Sequence, residues 1–349
     1  MIELSDECRL AFCVGVGGVG KTTLAAALGL QEALRGRSVL VLTADPARRL
    51  ADALGVQGLR DVASNIPLPS RGSGGELHAL MLETKASADE IIRRAADDEA
   101  RAQRVLDNRI YQAFSNTLAR SHAYAAMERI HETVHDPRYD LVVVDTPPAQ
   151  SSIEILDAPA RLVRFLDQRV VRWFRGGAIA RRLLRMVAGD SLVTSLTEFL
   201  TEMAFLREGF AERAREVRAL MRSSSTSFVL VSSADSVGIE AAKSVAAEVA
   251  ARDFEVACVM FNRAFIPEVD RGGRGPVTYP ESLAALAPKL EQMRTLLVQE
   301  EEQRLSNIIP FCEELGASGW CLPEATRPLS DTSALAAWIG RARPVGPPA

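Results

Sequence analysis

One stretch constrains the fold of this chain more than any other, the nine residues from Gly15 to Thr23, GVGGVGKTT. It satisfies G-x-x-x-x-G-K-[ST] from Gly15 through Gly20, Lys21 and Thr22. An apolar run over 10–14 leads in, and a helix-forming run over 24–34 leads out. Strand, glycine-rich turn, helix is the order that a phosphate site requires. Glycines let successive backbone N–H groups point at anionic oxygens, and the helix N-terminus adds its partial positive charge. Gly15, Gly17, Gly18, Val19, Gly20, Lys21, Thr22 and Thr23 are therefore the candidate nucleotide-binding residues of this stretch. Lys21 has the reach for the β- and γ-phosphates of ATP, and the Thr22 hydroxyl is a candidate Mg²⁺ ligand. The stretch predicts nucleotide binding.

The rest of the chain alternates strand and helix signals, which favours a doubly wound, mostly parallel α/β sheet. Buried strands are expected at 10–14, 38–43, 77–84, 141–145, 227–233 and 255–262, and helices at 24–34, 236–251 and 281–306. The Ser-, Gly- and Pro-rich stretch 65–75 reads as a loop. A last core segment is expected from Asn307 to about Pro323. We expect one domain over 1–340, with a helical subdomain from 86–135 and 153–222, and a disordered tail over 341–349. Within that subdomain Leu192, Leu196, Phe199, Leu200, Met203, Leu206 and Phe210 form a long apolar stripe. The stretch 161–185 carries eight arginines against one acid, Asp167. It fits a helix packed on its own domain with a solvated arginine face, and it also fits a peripheral membrane or partner surface.

Composition excludes more than it assigns. The net charge of −4 argues against a surface devoted to nucleic acid, so none is expected as a partner. No run of 18 uncharged apolar residues occurs, and the first twelve residues lack the pattern of a signal peptide. The five cysteines (8, 13, 258, 312 and 321) include no C-x-x-C, which suits reduced thiols and predicts a cytoplasmic location.

Asp145 is the second strong signal. Leu-Val-Val-Val ending in an acid is what a buried parallel strand looks like when its C-terminal end carries a Walker B aspartate. Ligands of doubly wound sheets sit at such ends, so Asp145 is the candidate Mg²⁺ partner of Thr22. Asn262, at the end of a later strand, has an amide able to read both donor and acceptor edges of a nucleobase. His131-Glu132-Thr133-Val134-His135 matches H-E-x-x-H, a zinc-protease pattern. The helix ends at once in Asp136-Pro137, and no third ligand stands at a zincin-like spacing. The protease reading is discarded.

Taken together, these motifs resemble the deviant-Walker P-loop ATPases of the arsenite-pump and tail-anchored-protein-targeting type (ArsA-like), relatives of the MinD and ParA ATPases. GVGGVGKTT is similar to the family's phosphate loop, Thr43 to Leu54 to its switch I, and Val142 to Pro148 to its switch II. Asn262-Arg263 resembles the adenine-reading segment, and Leu322-Pro323-Glu324 loosely resembles the adenine loop. The resemblance implies a P-loop NTPase fold of the SIMIBI type, with ATP and Mg²⁺ as cofactors. It adds Pro323 to the nucleotide contacts and gives Asp45, with Lys21, a catalytic role in which Asp45 orients or deprotonates the attacking water. It also implies a dimer, with itself or a paralogous ATPase, that closes with ATP and binds a client or partner protein on the helical region. Three departures stand out. Val16 occupies the place of the family's signature lysine, which normally reaches phosphate across the dimer interface. The zinc-binding C-x-x-C of the targeting factors and the arsenite-binding cysteine set are missing. Arg48-Arg49 stands for a histidine and asparagine in switch I, and Ala149-Gln150 for the glycine-histidine of switch II. The alternatives to a self-sufficient ATPase are a weakly hydrolysing regulatory subunit of a paralogue and a ParA/MinD-like positioning ATPase.

Overall fold

Short, wholly apolar segments bounded by glycine and charge can bury both faces only inside a sheet covered by helices on each side. The computed structural model realises this. It describes residues 4–45, 48–69, 74–82, 89, 92–93, 98–109, 111–112, 122–147, 154–158, 195, 198, 209, 211–265 and 285–345. Nine strands form one sheet: β1 (Leu10–Val14), β2 (Ser38–Thr43), β3 (Ser64–Ile66), β4 (Glu76–Met81), β5 (Leu141–Asp145), β6 (Thr226–Ser233), β7 (Val256–Phe265), β8 (Ser318–Pro323) and β9 (Arg343–Pro344). Their spatial order is β3-β4-β2-β5-β1-β6-β7-β8-β9. Strands β4 through β8 in that order pair in parallel, and only the edge strands β3 and β9 pair antiparallel. β1 lies between β5 and β6, so the turn after it opens at the middle of the sheet.

Strand residues alternate between the two faces. Leu10, Phe12, Val14, Leu40, Leu42, Val142 and Val144 join one buried cluster. Ala11, Cys13, Val39, Val41, Leu141 and Val143 join the other. The second face is covered by α1 (Lys21–Leu34), α2 (Arg49–Leu54) and, later in the chain, by the helix over Thr332–Ile339. Besides α3 (Glu99–Asp107), the chain has α4 (His122–His135), α5 (Ser236–Ala250), α6 (Ala287–Leu315) and α7, the Thr332–Ile339 helix just placed. α4, α5 and α6 cover the first face, where Phe12 stacks on Phe228 and Phe228 on Phe254, with centroids 5.2 and 5.0 Å apart. This is the doubly wound α/β fold that the sequence predicts.

Three boundaries differ from expectation. At the start of the stretch read as a loop, Asn65 and Ile66 pair with β4 together with Ser64, and only Ile66 of the three is buried, so no periodicity marked them. α6 does not stop near 306 but runs through Pro310 to Leu315. Ile308, Phe311 and Cys312 keep the 3- and 4-residue spacing and bury against the sheet, which outweighs the donor lost at Pro310. The expected tail is partly ordered, because Arg343 and Pro344 pair with Cys321 and Trp320. Most of 86–121 and 159–210, including the Leu192–Phe210 stripe and the arginine-rich stretch, falls outside the described residues, as do Pro148, Ala149 and Gln150. Among the described residues no helix is long and apolar enough to cross a membrane.

Candidate functional site

The loop after β1 needs its glycines. Gly15, Gly18 and Gly20 have φ of +154°, +82° and +95°, a region that residues with a Cβ rarely adopt. A Cβ on Gly15 would collide with the Val231 carbonyl, and one on Gly20 with the Asn262 amide. α1 then begins with no side-chain cap and no acid in its first turn. α3, α5 and α7 instead close their N-termini with Asp98, Asp235 and Asp331. The free N–H groups and positive end of α1 are thus left for an anion.

Lys21 is buried, 7% exposed, and its ammonium donates to the Val16 carbonyl at 2.8 Å. Burial lowers its pKa, while Asp145 and, less strongly, Asp45 favour the charged form. Asp145 ends β5 with no exposed surface, and its Oδ2 accepts from the Thr43 hydroxyl at 2.8 Å. Its Oδ1, also buried, has no hydrogen-bond partner. Desolvation raises its pKa from 3.8 to about 6, against the hydroxyls of Thr43 and Thr22 and the charge of Lys21. A buried carboxylate oxygen left over in this way, beside a threonine hydroxyl, is a donor set suited to a hydrated hard cation such as Mg²⁺. Asp45 follows β2 directly, its N–H donating to Thr43 Oγ1 at 3.2 Å, and its carboxylate lies 3.6 Å from Arg49 Nη1. Arg48 is exposed next to it. Thr22 and Thr23 are half-buried at the start of α1. The structure therefore gathers Lys21, Thr22, Asp45 and Asp145 at one end of the sheet, as the motifs require.

Beyond the loop lies a cavity of about 530 Å³, lined by Val16, Gly17, Gly18 and Val19 on one side and, on the other, by the ends of β6, β7 and β8, the start of α5 and Arg304 within α6. Asn262 lines it, but its amide donates to the Val19 carbonyl at 2.9 Å and its Oδ1 accepts from the Arg263 N–H at 2.9 Å. In this conformation the side chain ties β7 to the phosphate loop instead of presenting both edges to a base. Pro323 is buried, and its carbonyl accepts from Trp338 Nε1 at 2.9 Å; Glu324, the next residue, lines the cavity. Sequence reasoning named Arg263 only through the family resemblance and missed Ser233, Asp235, Gly238 and Arg304 in this wall. The available signal was position, because each strand end at this edge contributes to the wall.

A family model, described as anion-transporting ATPase (ArsA), matches residues 8–275. The chain belongs to that family. The match spans the loop, both aspartates and Asn262. Similar curated proteins include ATPase GET3 of Paracoccidioides lutzii, 24% identical over 268 residues, which are 75% of this chain and 74% of that protein. ATPase get3 of Aspergillus terreus is 25% identical over 265 residues, 74% of each. The family assignment implies nucleotide binding, and the identities mark these ATPases as distant relatives.

Proposed function

We propose that this ArsA-family chain is a Mg²⁺-dependent ATPase whose nucleotide state controls closure against a second ATPase subunit, of its own kind or a paralogue, and binding of a partner protein. The observation that carries the reading is Asp145, an acid with a buried, unpartnered oxygen beside Lys21 and below an uncapped helix N-terminus. In an apoprotein such an arrangement only destabilises; with a cation and phosphates it is satisfied. Mg²⁺, when bound, would supply positive charge that offsets the phosphate charge. Thr22 and Asp145 are the residues that would hold it. The loop N–H groups bind phosphate oxygens, and Lys21 exchanges the Val16 carbonyl for them. Asp45 orients or deprotonates the attacking water.

Val16 supplies no cation to this loop, and it is partly buried against both core clusters. Arg49, 3.6 Å from Asp45, is a nearby positive charge. Arg49 would make the chain self-sufficient, whereas the uncharged Val16 favours the second reading, a subunit that hydrolyses slowly alone and is completed by a paralogue carrying the missing lysine. Either reading requires the phosphate site. Millimolar MgATP should raise the thermal midpoint of the full chain, because only the folded state binds it. Lys21→Ala should remove most of the rise and weaken binding at least about thirtyfold, as truncating one buried charged partner does elsewhere. No rise in the wild-type chain, or an equal rise in the variant, would reject the assignment.

A further inference from the structure

Outside the nucleotide site, α4 ends in His131-Glu132-Thr133-Val134-His135, and the fold supplies what the sequence spacing did not. Glu216, 85 residues beyond His131, brings its Oε2 to 2.6 Å from His131 Nε2. One ligand atom from each of His131, His135 and Glu216 lies within 4.8 Å of the others. We propose that these three side chains form a binding site for a divalent transition metal of the zinc class, which clamps α4 to the helical stretch 211–221.

The local chemistry suits that class of ion. His131 and His135 are one helical turn apart on the same face, with ring centroids 4.4 Å apart. His135 Nδ1 is 2.7 Å from the carbonyl of His131. Donation there fixes the Nδ1–H tautomer and leaves Nε2 as the lone-pair nitrogen, the orientation that metal-binding histidines receive from a backbone carbonyl. Two imidazoles and one carboxylate favour zinc, cobalt or nickel over magnesium or calcium, which prefer oxygen alone. Around a tetrahedral zinc, ligand atoms stand about 3.3 Å apart, given bonds of about 2.0 Å. The three side chains reach that spacing by small rotamer changes, and Glu216 and His135 are exposed and free to make them. Glu216 as a carboxylate can only accept, and its Oε2 lies 2.6 Å from His131 Nε2. His131 Nε2 is therefore the donor in that pair, and metal entry displaces its proton to solvent. The fourth position falls to water.

The site is read as a clamp and not as a hydrolytic centre, because Glu132 pairs with Arg129 at 2.8 Å. One turn earlier Arg213 Nε already meets Glu128 at 2.7 Å, so the helices are in register before any metal binds. Their inner faces, Met127, Ile130 and Val134 on one and Ala214, Val217 and Met221 on the other, bury in the same cluster. α4 leads into β5 and residues 211–221 lead into β6, the two strands that flank β1. A metal here ties together the two helices feeding the neighbours of the phosphate loop. The five cysteines are all buried and offer it no competition.

The test uses the full chain without a histidine tag, stripped with chelator and free of nucleotide, titrated with Zn²⁺ by calorimetry and followed by thermal unfolding. One Zn²⁺ per chain should bind, and at about a hundredfold excess over Kd the midpoint should rise by several degrees. Co²⁺ in its place should give the visible bands of a four-coordinate site. His135→Ala and His131→Gln should abolish both signals, and Glu216→Gln should weaken binding at least about tenfold. Glu128→Gln, which breaks the neighbouring ion pair, should leave the stoichiometry at one. Equal binding by wild type and His135→Ala would place the metal elsewhere and overturn the proposal, as would no binding at about 100 µM Zn²⁺. Because no nucleotide is present, either outcome is independent of the ATPase reading.

Discussion

The two ends of the proposed nucleotide site are built in different ways. The phosphate end is a contiguous loop with two acids, and its charged groups are buried: Lys21 and Asp145 are at most 7% exposed. The cavity end, proposed for the nucleoside, is assembled from the termini of β6, β7 and β8, the start of α5 and Arg304 of α6; Asn262 makes neutral hydrogen bonds, Arg304 pairs with Glu300, and Asp235, Arg263 and Glu324 lie exposed. Electrostatics at the first end are strong because water is excluded, whereas the second end relies on shape and contact. The free energy of the site should therefore be concentrated at the phosphates.

The largest effect expected from this contrast is at Asp145. Its pKa is raised from 3.8 to about 6 in the folded chain, so between those values the folded state holds a proton that the unfolded state has released. Stability of the nucleotide-free chain should thus fall as pH rises from about 4 to 6 and level off above. At pH 8 the buried charge should destabilise by about 3 kcal/mol. Asp145→Asn, which lacks that charge, should be the more stable protein in urea at pH 8, with the difference shrinking below pH 6. A difference constant from pH 4 to 8 would mean that Asp145 is not held as a costly buried charge, and the contrast would fail.

A smaller effect separates charge that binds from charge that acts. Asp45→Asn should leave ATP affinity near wild type while lowering any turnover at least about tenfold, near the lower end of general-base effects. Parallel loss of both in a binding and single-turnover assay would give Asp45 a structural role. The smallest effect belongs to the nucleoside end. Asn262→Ala removes two neutral hydrogen bonds internal to the protein, so it acts on ATP only through the placement of the loop and should weaken ATP by less than about tenfold. A loss as large as that of Lys21→Ala would show that the two ends are energetically alike.

The same contrast explains what was legible in the sequence. A phosphate loop is local: Gly15 to Thr23 carry their geometry in nine consecutive residues, and Asp145 announces itself by ending an all-apolar strand. The core strands were equally plain, because burial on both faces leaves uninterrupted apolar runs. Most of the cavity wall was not legible: Arg263 and Glu324 were reached through the family resemblance, but Ser233, Asp235 and Arg304 join them only once strand order is known. Asn262 was found, but its bond to Val19 depends on Gly20 having no Cβ, a tertiary fact. Glu216 was hidden for the same reason, its partner being 85 residues away. β3 and β9 were missed because three- and two-residue strands carry no period.

Those two short strands bear on assembly. A parallel sheet whose outer strands ended bare would present a row of open peptide groups, an invitation to another chain to extend it. Here β3 and β9 turn antiparallel on β4 and β8, and both are too short to template a neighbour. Pro67 follows directly after β3, and β9 is an arginine and a proline, Arg343 and Pro344. Proline withholds the N–H a visiting strand would need, and arginine keeps the rim wet. Growth of the sheet sideways is thereby blunted at both borders. In the proposed assembly, a companion subunit would be steered away from the rims and toward the face where the strand ends and the loop after β1 open.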